Sequence, residues 1–472
     1  MKKYLSLFII TSFVSIIAGA QSKVYSLREV IDIAIENNIV ARQADLQVEA
    51  AKINYNQARL NRLPAVGGNL NYGLNQGRSI DPFTNAYVNQ TINYSSYGIN
   101  SNVILFNGLT QVQTIKQFQY AKDAAEMDLQ QVKDNLTLNV ILAYLQVLTN
   151  EDLVEVARNQ SDVTQKQVER LEILNREGAI SPPQLYDMLG QLKENELAVV
   201  TNLANLQSAR LTLTQVMNIP YDPQIRVEQI TMEELLNQST LSAEEIFNEA
   251  TRRMAIVKAA ELRKKSAEAG IKAVRGELFP TVVLSGNLNT NYSSIATRDI
   301  FENTIEIPSN DFVLVNGSKT PVIRNVSNFN TSRIGYFDQL ENNIFSNVNV
   351  GVRIPIFNSF QARNRIRLAK IELKNVELDQ QSVNLQLRQE VDQAYVNMNN
   401  AWERYRVSRE QVAAYTESFR AAEIRFNAGV GNSIDYLIAK NNLDRANANL
   451  VIAQYDFILR KKVLEFYQTN RF

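Results

Sequence analysis

The sequence offers little with which to do covalent chemistry. Its 472 residues include no histidine and no cysteine. The commonest metal ligand, the side chain that titrates near neutral pH and the strongest nucleophile are therefore all missing. Paired carboxylates could hydrolyse a glycoside, but acids such as Glu390 and Asp392 lie beside Arg388 at the intervals of salt bridges on an exposed helix face. No Walker or dinucleotide-binding motif occurs, so the chain cannot drive transport with a nucleotide. These absences point away from an enzyme, and neither cofactor nor metal is expected. One carboxylate stands out by position. Asp435 follows Gly429 by six residues and falls in the first turn of an expected helix. There the helix dipole favours a negative charge by about 0.3–1 kcal/mol.

The elements that carry such residues belong to an exported chain. Lys2 and Lys3 precede an apolar stretch from Tyr4 to Ile17 and a small-residue site, Ala18-Gly19-Ala20. This pattern predicts a secretory leader over residues 1–20, with the mature fold starting near Gln21. No later apolar run reaches the roughly 18 residues of a membrane-spanning helix, so any contact with a membrane must be made by strands. The 49 basic and 49 acidic residues balance, which gives no reason to expect nucleic acid as a partner. Without cysteine, packing and oligomerisation must replace disulfides.

The chain reads as one unit written twice. Arg28-Glu29-Val30-Ile31 through Ala34 recurs as Glu244-Glu245-Ile246-Phe247 through Ala250, and Arg62-Leu63-Pro64 as Leu278-Phe279-Pro280, both at an offset of 216. Leu105-Phe106-Asn107-Gly108 recurs as Ile356-Phe357-Asn358-Ser359, and Gly178 as Gly429, both at an offset of 251. The jump of 35 places one insertion between Pro280 and Phe357. The first repeat, 21–237, is expected to hold a helix, strands at 65–78 and 94–106, a long helix at 107–177, a helix at 181–218 and a connecting segment. The second, 238–472, repeats the order, with strands at 281–292 and 343–357, a long helix at 358–428 and a helix at 432–468. Each long segment contains 69 residues without Gly or Pro. That is enough for a rod of about 100 Å, and so long a helix needs lateral partners. Two shorter helices stacked end to end would lie alongside it.

The strands alternate with period two. Val66, Leu70, Tyr72 and Leu74 oppose Asn69, Asn71 and Asn75. Tyr97, Ile99, Val103 and Leu105 oppose Asn100 and Asn102. Val282, Leu284, Leu288 and Tyr292 oppose Ser285, Asn287, Asn289 and Asn291, and Ile344, Val348, Val350, Val352, Ile354 and Ile356 oppose Asn347, Asn349, Gly351 and Arg353. Four membrane-length strands with one apolar and one amide face match the dyad pattern of outer-membrane barrels, yet bacterial barrels need at least about eight strands. Closure demands further copies, because open edges are not tolerated in lipid. Loops are expected from Ser79 to Asn93 and over 293–342, the second carrying the insertion.

The strand-to-helix corners Leu105-Phe106-Asn107-Gly108 and Ile354-Pro355-Ile356-Phe357-Asn358 resemble those of the outer-membrane efflux (TolC) family. So does the phrase Arg425-Phe426-Asn427-Ala428-Gly429 followed by Ser433-Ile434-Asp435-Tyr436-Leu437. The resemblance covers essentially the whole mature chain. It implies a mainly α fold with membrane β: a long α-helical barrel in the periplasm, plus four strands per chain contributing to the 12-stranded β-barrel of a homotrimer in outer-membrane lipid. It also implies a passive exit duct for efflux or type I secretion, with a periplasmic adaptor protein and an inner-membrane pump as partners.

In such a duct the turns at Gly178 and Gly429 form the periplasmic tip and meet the adaptor. Glycine suits the left-handed residue after a helix. Ser181 with Gln184 is expected to make a capping box behind Pro182, and Asn432 or Ser433 to cap the other helix. By the same resemblance, Asp435 joins an acidic ring at the gate. The sequence departs from the family pattern at Ile438, one turn beyond Asp435, and at Gln184, the counterpart of Asp435 in the first repeat, so the ring is weaker. A different class stays open on sequence alone: an exported coiled-coil spacer or adhesin, which the helices would suit but the amide-faced strands would not.

Overall fold

The computed structural model describes residues 24–81, 85–230 and 241–469. The expected leader lies outside the described residues. The first half runs β1 (Val24–Tyr25), α1 (Leu27–Asn37), α2 (Ile39–Leu60), β2 (Ala65–Asn75), β3 (Arg78–Ile80), β4 (Tyr87–Asn89), β5 (Ile92–Asn107), α3 (Thr110–Arg176) and α4 (Pro182–Val216). After β6 (Arg226–Val227) come α5 (Ala243–Arg253), α6 (Ala255–Gly276), β7 (Thr281–Ser293), β8 (Thr297–Val315), β9 (Ser318–Arg333), α7 (Tyr336–Asn342), β10 (Phe345–Arg353), α8 (Gln361–Asn427) and α9 (Ser433–Thr469). Equivalent helices have equal lengths: 11 residues in α1 and α5, 22 in α2 and α6, 67 in α3 and α8.

Local chemistry recurs with the same spacing. Ser26 and Glu29 form a reciprocal capping box on α1, and Ser242 and Glu245 form its copy on α5. Each satisfies backbone N–H groups that a helix start leaves without partners. At the strand-to-helix corners two consecutive residues adopt the left-handed conformation, Gly108 and Leu109 in one half, Ser359 and Phe360 in the other. A side chain at Gly108 is excluded by more than backbone preference, because a Cβ there would stand 2.3 Å from the carbonyl oxygen of Gly276.

Two compact units each draw on both halves of the sequence. Among the described residues, one comprises 24–52, 120–230, 241–265 and 374–469. Its core is also duplicated: Val30, Ala34, Leu136, Val140, Ala143 and Leu213 pack in one cluster, and their counterparts Ile246, Ala250, Leu387, Val391, Ala394 and Leu464 in another. Burial of each larger aliphatic side chain contributes about 1.5–3 kcal/mol. α4 runs antiparallel to α3, as its contacts show in reversed order: Asn195 Nδ2 to Thr164 Oγ1 at 2.7 Å, Asn202 Nδ2 to the Leu153 carbonyl at 3.5 Å, and Arg210 to Glu151 at 2.9 Å. The β1–β6 pair is roofed by Tyr144, whose hydroxyl lies 2.7 Å from the Glu228 carbonyl oxygen and 3.2 Å from that of Tyr25. Burial pushes that phenol far above its ordinary pKa.

The other unit, Ile53–Gln119 and Ser266–Leu373, carries the strands. One antiparallel sheet has the order β10-β7-β5-β2. β2 stops at Asn75 and not at residue 78, since Gly77 turns the chain with φ +97. β10 covers only 345–353, shorter than the expected 343–357, because α7 occupies the chain before it and Pro355, which lacks an N–H, follows it. A bulge at Leu105 shifts the β5–β7 register.

The segment 293–342 is not a plain loop. The insertion is the long hairpin β8–β9, closed by Asn316-Gly317 with φ values of +52 and +80. Positive φ at both central positions is the preference of a two-residue hairpin turn. An Asn-Gly pair between apolar runs was the sequence signal for it.

Candidate functional site: hairpin turns and a two-faced sheet

Each long helix ends the same way. Gly178 has φ +71, its N–H donates to the Asn175 carbonyl at 3.0 Å, and the Ala179 N–H donates to the Leu174 carbonyl at 2.8 Å. Gly429 has φ +73, with the Gly429 N–H on Phe426 and the Val430 N–H on Arg425, both at 3.1 Å. These paired bonds satisfy the last carbonyls of the helix and require a left-handed residue that glycine supplies at no steric cost.

The two restarts differ. At the first, Ser181 occupies the cap position but its side chain makes no capping bond, so the expected box with Gln184 does not form. Pro182 and Pro183 have no N–H to satisfy, and the first available one, on Gln184, donates to the Ser181 carbonyl at 3.2 Å. At the second, Asn432 is the cap: its Oδ1 accepts from the Asp435 N–H at 2.7 Å. Ser433 is instead buried as the first helical residue. Asp435 is exposed in that first turn, between the exposed apolar side chains of Ile434 and Ile438.

Behind the turns lies a set of contacts that sequence reasoning missed. Tyr436 is buried with its ring centroid 5.4 Å from Phe419 and 5.0 Å from Phe426. Burial, then the nearby carboxylates of Glu423 and Asp444, push its phenol up to about 12. Lys440, 2% exposed, bonds Asp444 at 2.5 Å. Burial raises the Asp444 carboxyl above its ordinary range, and the ammonium opposes that shift. The Arg170 guanidinium reaches the side chain and backbone of Asn427, joining α3 to the end of α8. Spacing within one helix reveals none of these cross-helix pairs except Lys440 and Asp444, which stand four apart.

In the sheet, the strand registers place Leu70, Tyr97 and Thr290 side by side, then Ile99 with Leu288, and Val103 with Leu284 and Val350. The opposite face carries Asn69 and Asn289 flanking Gly98, with Asn100, Asn287 and Asn347 in a row. Amides bond one another there: Asn287 Nδ2 donates to Asn347 Oδ1 at 2.9 Å. Most of the apolar face is not covered. Leu70 and Val348 are each 77% exposed. β2 and β10 each have a single neighbour, so both edges of this sheet present backbone groups to a further strand. Among the described residues no helix is long and apolar enough to cross a membrane.

Comparisons with known proteins agree with this arrangement. Residues 30–218 and 246–464 match the family model described as outer membrane efflux protein, and the two stretches begin at the equivalent positions Val30 and Ile246. The chain is similar to the outer membrane protein TolC of Vibrio cholerae, at 22% identity over 466 residues, covering 97% of this chain and 93% of the relative. It is also similar to toxin and drug export protein A of Aggregatibacter actinomycetemcomitans, at 19% identity over 438 residues, with 92% and 83% covered. Among solved structures, the outer membrane protein VceC of Vibrio cholerae superposes with a TM-score of 0.72 at 14% identity, covering 94% of this chain and 96% of that one. The open state of the MtrE outer membrane channel of Neisseria gonorrhoeae gives 0.70 at 16% identity, with 94% and 88% covered. With both halves matched, the chain belongs to the outer membrane efflux protein family, as an outer-membrane exit duct whose helical part lies in the periplasm.

Proposed function

We propose that three copies of the chain close into a homotrimer whose twelve strands form one barrel in outer-membrane lipid and whose helices form a periplasmic tunnel. The observation that carries this reading is the four-stranded sheet with two open edges, one apolar face and one amide face. Such a sheet cannot stand in lipid until β2 of one copy pairs with β10 of the next. The amide face then lines water and the apolar face meets lipid.

The duct is passive and catalyses no reaction. A periplasmic adaptor docks at the tip around Gly178, Ser181, Gln184, Gly429, Asn432 and Ser433, and an inner-membrane pump supplies both energy and cargo. Three Asp435 carboxylates converge at the tunnel mouth. Rigid turns with satisfied backbone groups support this role, because a docking surface gains affinity when it is already ordered. A heat-modifiable trimer in outer-membrane fractions, with single-channel conductance in planar bilayers, is the expected result. A monomeric water-soluble rod without conductance would instead support the spacer or adhesin reading.

A further inference from the structure

α7 has only seven residues, too few to hold together alone, yet it is fastened to the sheet at several points. Gln339, 1% exposed, accepts the Ser293 N–H at 2.9 Å and donates to the carbonyls of Ser293 at 3.0 Å and Ile334 at 2.9 Å. Thr290 Oγ1 donates to the Leu340 carbonyl at 2.6 Å, and Asn343 Nδ2 to that of Asn291 at 2.8 Å. Tyr336 packs against Tyr292 with tilted rings whose centroids are 4.7 Å apart, and it shares a hydrogen bond with the Tyr97 hydroxyl.

Thr290, Tyr97 and Tyr292 all belong to the apolar face, so α7 lies against the side of the sheet that meets lipid. Between them is a cavity of about 470 Å³ whose side-chain lining includes Leu70, Tyr97, Ile99, Leu288, Leu340 and Ile344. That volume falls in the range of about 300–1,000 Å³ typical of small-molecule sites. The bonds that fix α7 keep the cavity formed. Its place along the strands fixes the leaflet: β7 begins just after α6, and α7 packs at its opposite end, away from the periplasmic helices. Tyrosines at this level suit the boundary between hydrocarbon and head groups. Just beyond, Arg298 and Arg333 are exposed at the root of the β8–β9 hairpin, with the charge and donor geometry that phosphates bind.

We propose that this cavity binds one acyl chain of a lipopolysaccharide molecule of the outer leaflet, with the head-group phosphates toward the hairpin root. The proposal rests on the reading of the apolar face as the lipid side. It makes α7 a fixed lipid-binding clamp on the barrel wall.

The test is native mass spectrometry of the full-length protein extracted from outer membranes in mild detergent, with conductance measured on the same preparations. Wild-type protein is expected to retain lipopolysaccharide adducts. Leu288→Trp, which fills the cavity from β7, is expected to reduce them about tenfold, while Val66→Trp, on the same face outside the cavity, keeps them. Leu340→Ser alters α7 alone and should give the same loss if Leu288→Trp fails to assemble. Wild-type protein without adducts, with phospholipid only, or with adducts undiminished in both cavity variants would overturn the site. A conducting protein without adducts removes only this proposal, whereas a protein that neither conducts nor enters the outer membrane removes the channel reading beneath it.

Discussion

The guanidinium of Arg170 donates twice to Asn427, to its carbonyl oxygen at 3.0 Å and to its side-chain oxygen. Asn427 is the last residue of α8, two positions before the Gly429 turn, so one side chain of α3 restrains the second helical hairpin. Bonds of this charged kind contribute about 1.5–3 kcal/mol when sheltered and less where water competes. Arg170→Ala is expected to leave trimer levels unchanged and to raise single-channel conductance in planar bilayers. Conductance identical to wild type would show that the bond does not hold the tip.

Substitution of valine for Gly178 or Gly429 places a β-branched residue where the chain has φ +71 or +73. The left-handed conformation costs a side-chain-bearing residue about 1–2 kcal/mol, and nothing nearby blocks the new Cβ. The trimer should therefore form while the turn rearranges. Export by cells carrying either variant is expected to fail, as read by sensitivity to exported compounds at equal trimer levels. Normal export would mean that the turn geometry is not used in docking.

Lys440 and Asp444 form a pair that is nearly closed to water. Removing one member strands the other, which costs about 3–5 kcal/mol for buried pairs, whereas replacing both with apolar residues is often neutral. Lys440→Met alone should markedly lower the thermal stability of the detergent-purified protein. Lys440→Met combined with Asp444→Leu should recover most of the loss. Equal melting temperatures for the single and double variants would refute this coupling.

Asp435 is the exposed carboxylate of the α9 first turn. In Asp435→Asn the cap from Asn432 is kept, because it uses the Asp435 backbone N–H. Cation selectivity should fall, with the reversal potential under a salt gradient moving toward zero. An unchanged reversal potential would remove Asp435 from the conduction path.

Glu245 is held below its ordinary carboxylate pKa of 4.5, first by the Ser242 N–H and second by the Ser242 hydroxyl. A lowered folded-state value means that this contribution is present above about pH 4.5 and is lost as pH falls through the lowered value. Ser242→Ala should lower the melting temperature at pH 7, and the gap from wild type should narrow in acid. A gap independent of pH would show that the capping box does not act through the charge.

Much of this fold was legible because two kinds of period were written strongly. The amide-and-apolar alternation at Asn69, Leu70, Asn71 and Tyr72 identifies a two-faced strand, and the long intervals free of Gly and Pro identify α3 and α8. The capping boxes carry a local signal of their own, a serine followed three positions later by a glutamate, in Ser26 with Glu29 and Ser242 with Glu245. The Ser181 box does not form because the N–H it would serve, that of Gln184, donates to the Ser181 carbonyl instead. What could not be read were contacts between distant positions. Nothing along the chain pairs Arg170 with Asn427, 257 positions away, and nothing near Gln339 announces that its amide will grip Ser293. Such pairs are set by how helices and strands lie against one another, which a local pattern does not encode.

The wall of asparagine in the sheet carries one more implication. A primary amide both gives and takes hydrogen bonds and carries no net charge, so to a passing solute it looks much like water. In the proposed trimer a cation and an anion meet mainly uncharged amides along it, with Arg353 of β10, which shares this face, as the exception. A conduit finished in this way would sort little along those amides. In the proposed trimer most discrimination then falls to what lies before the barrel, and a solute that has passed the tip meets little to hold it.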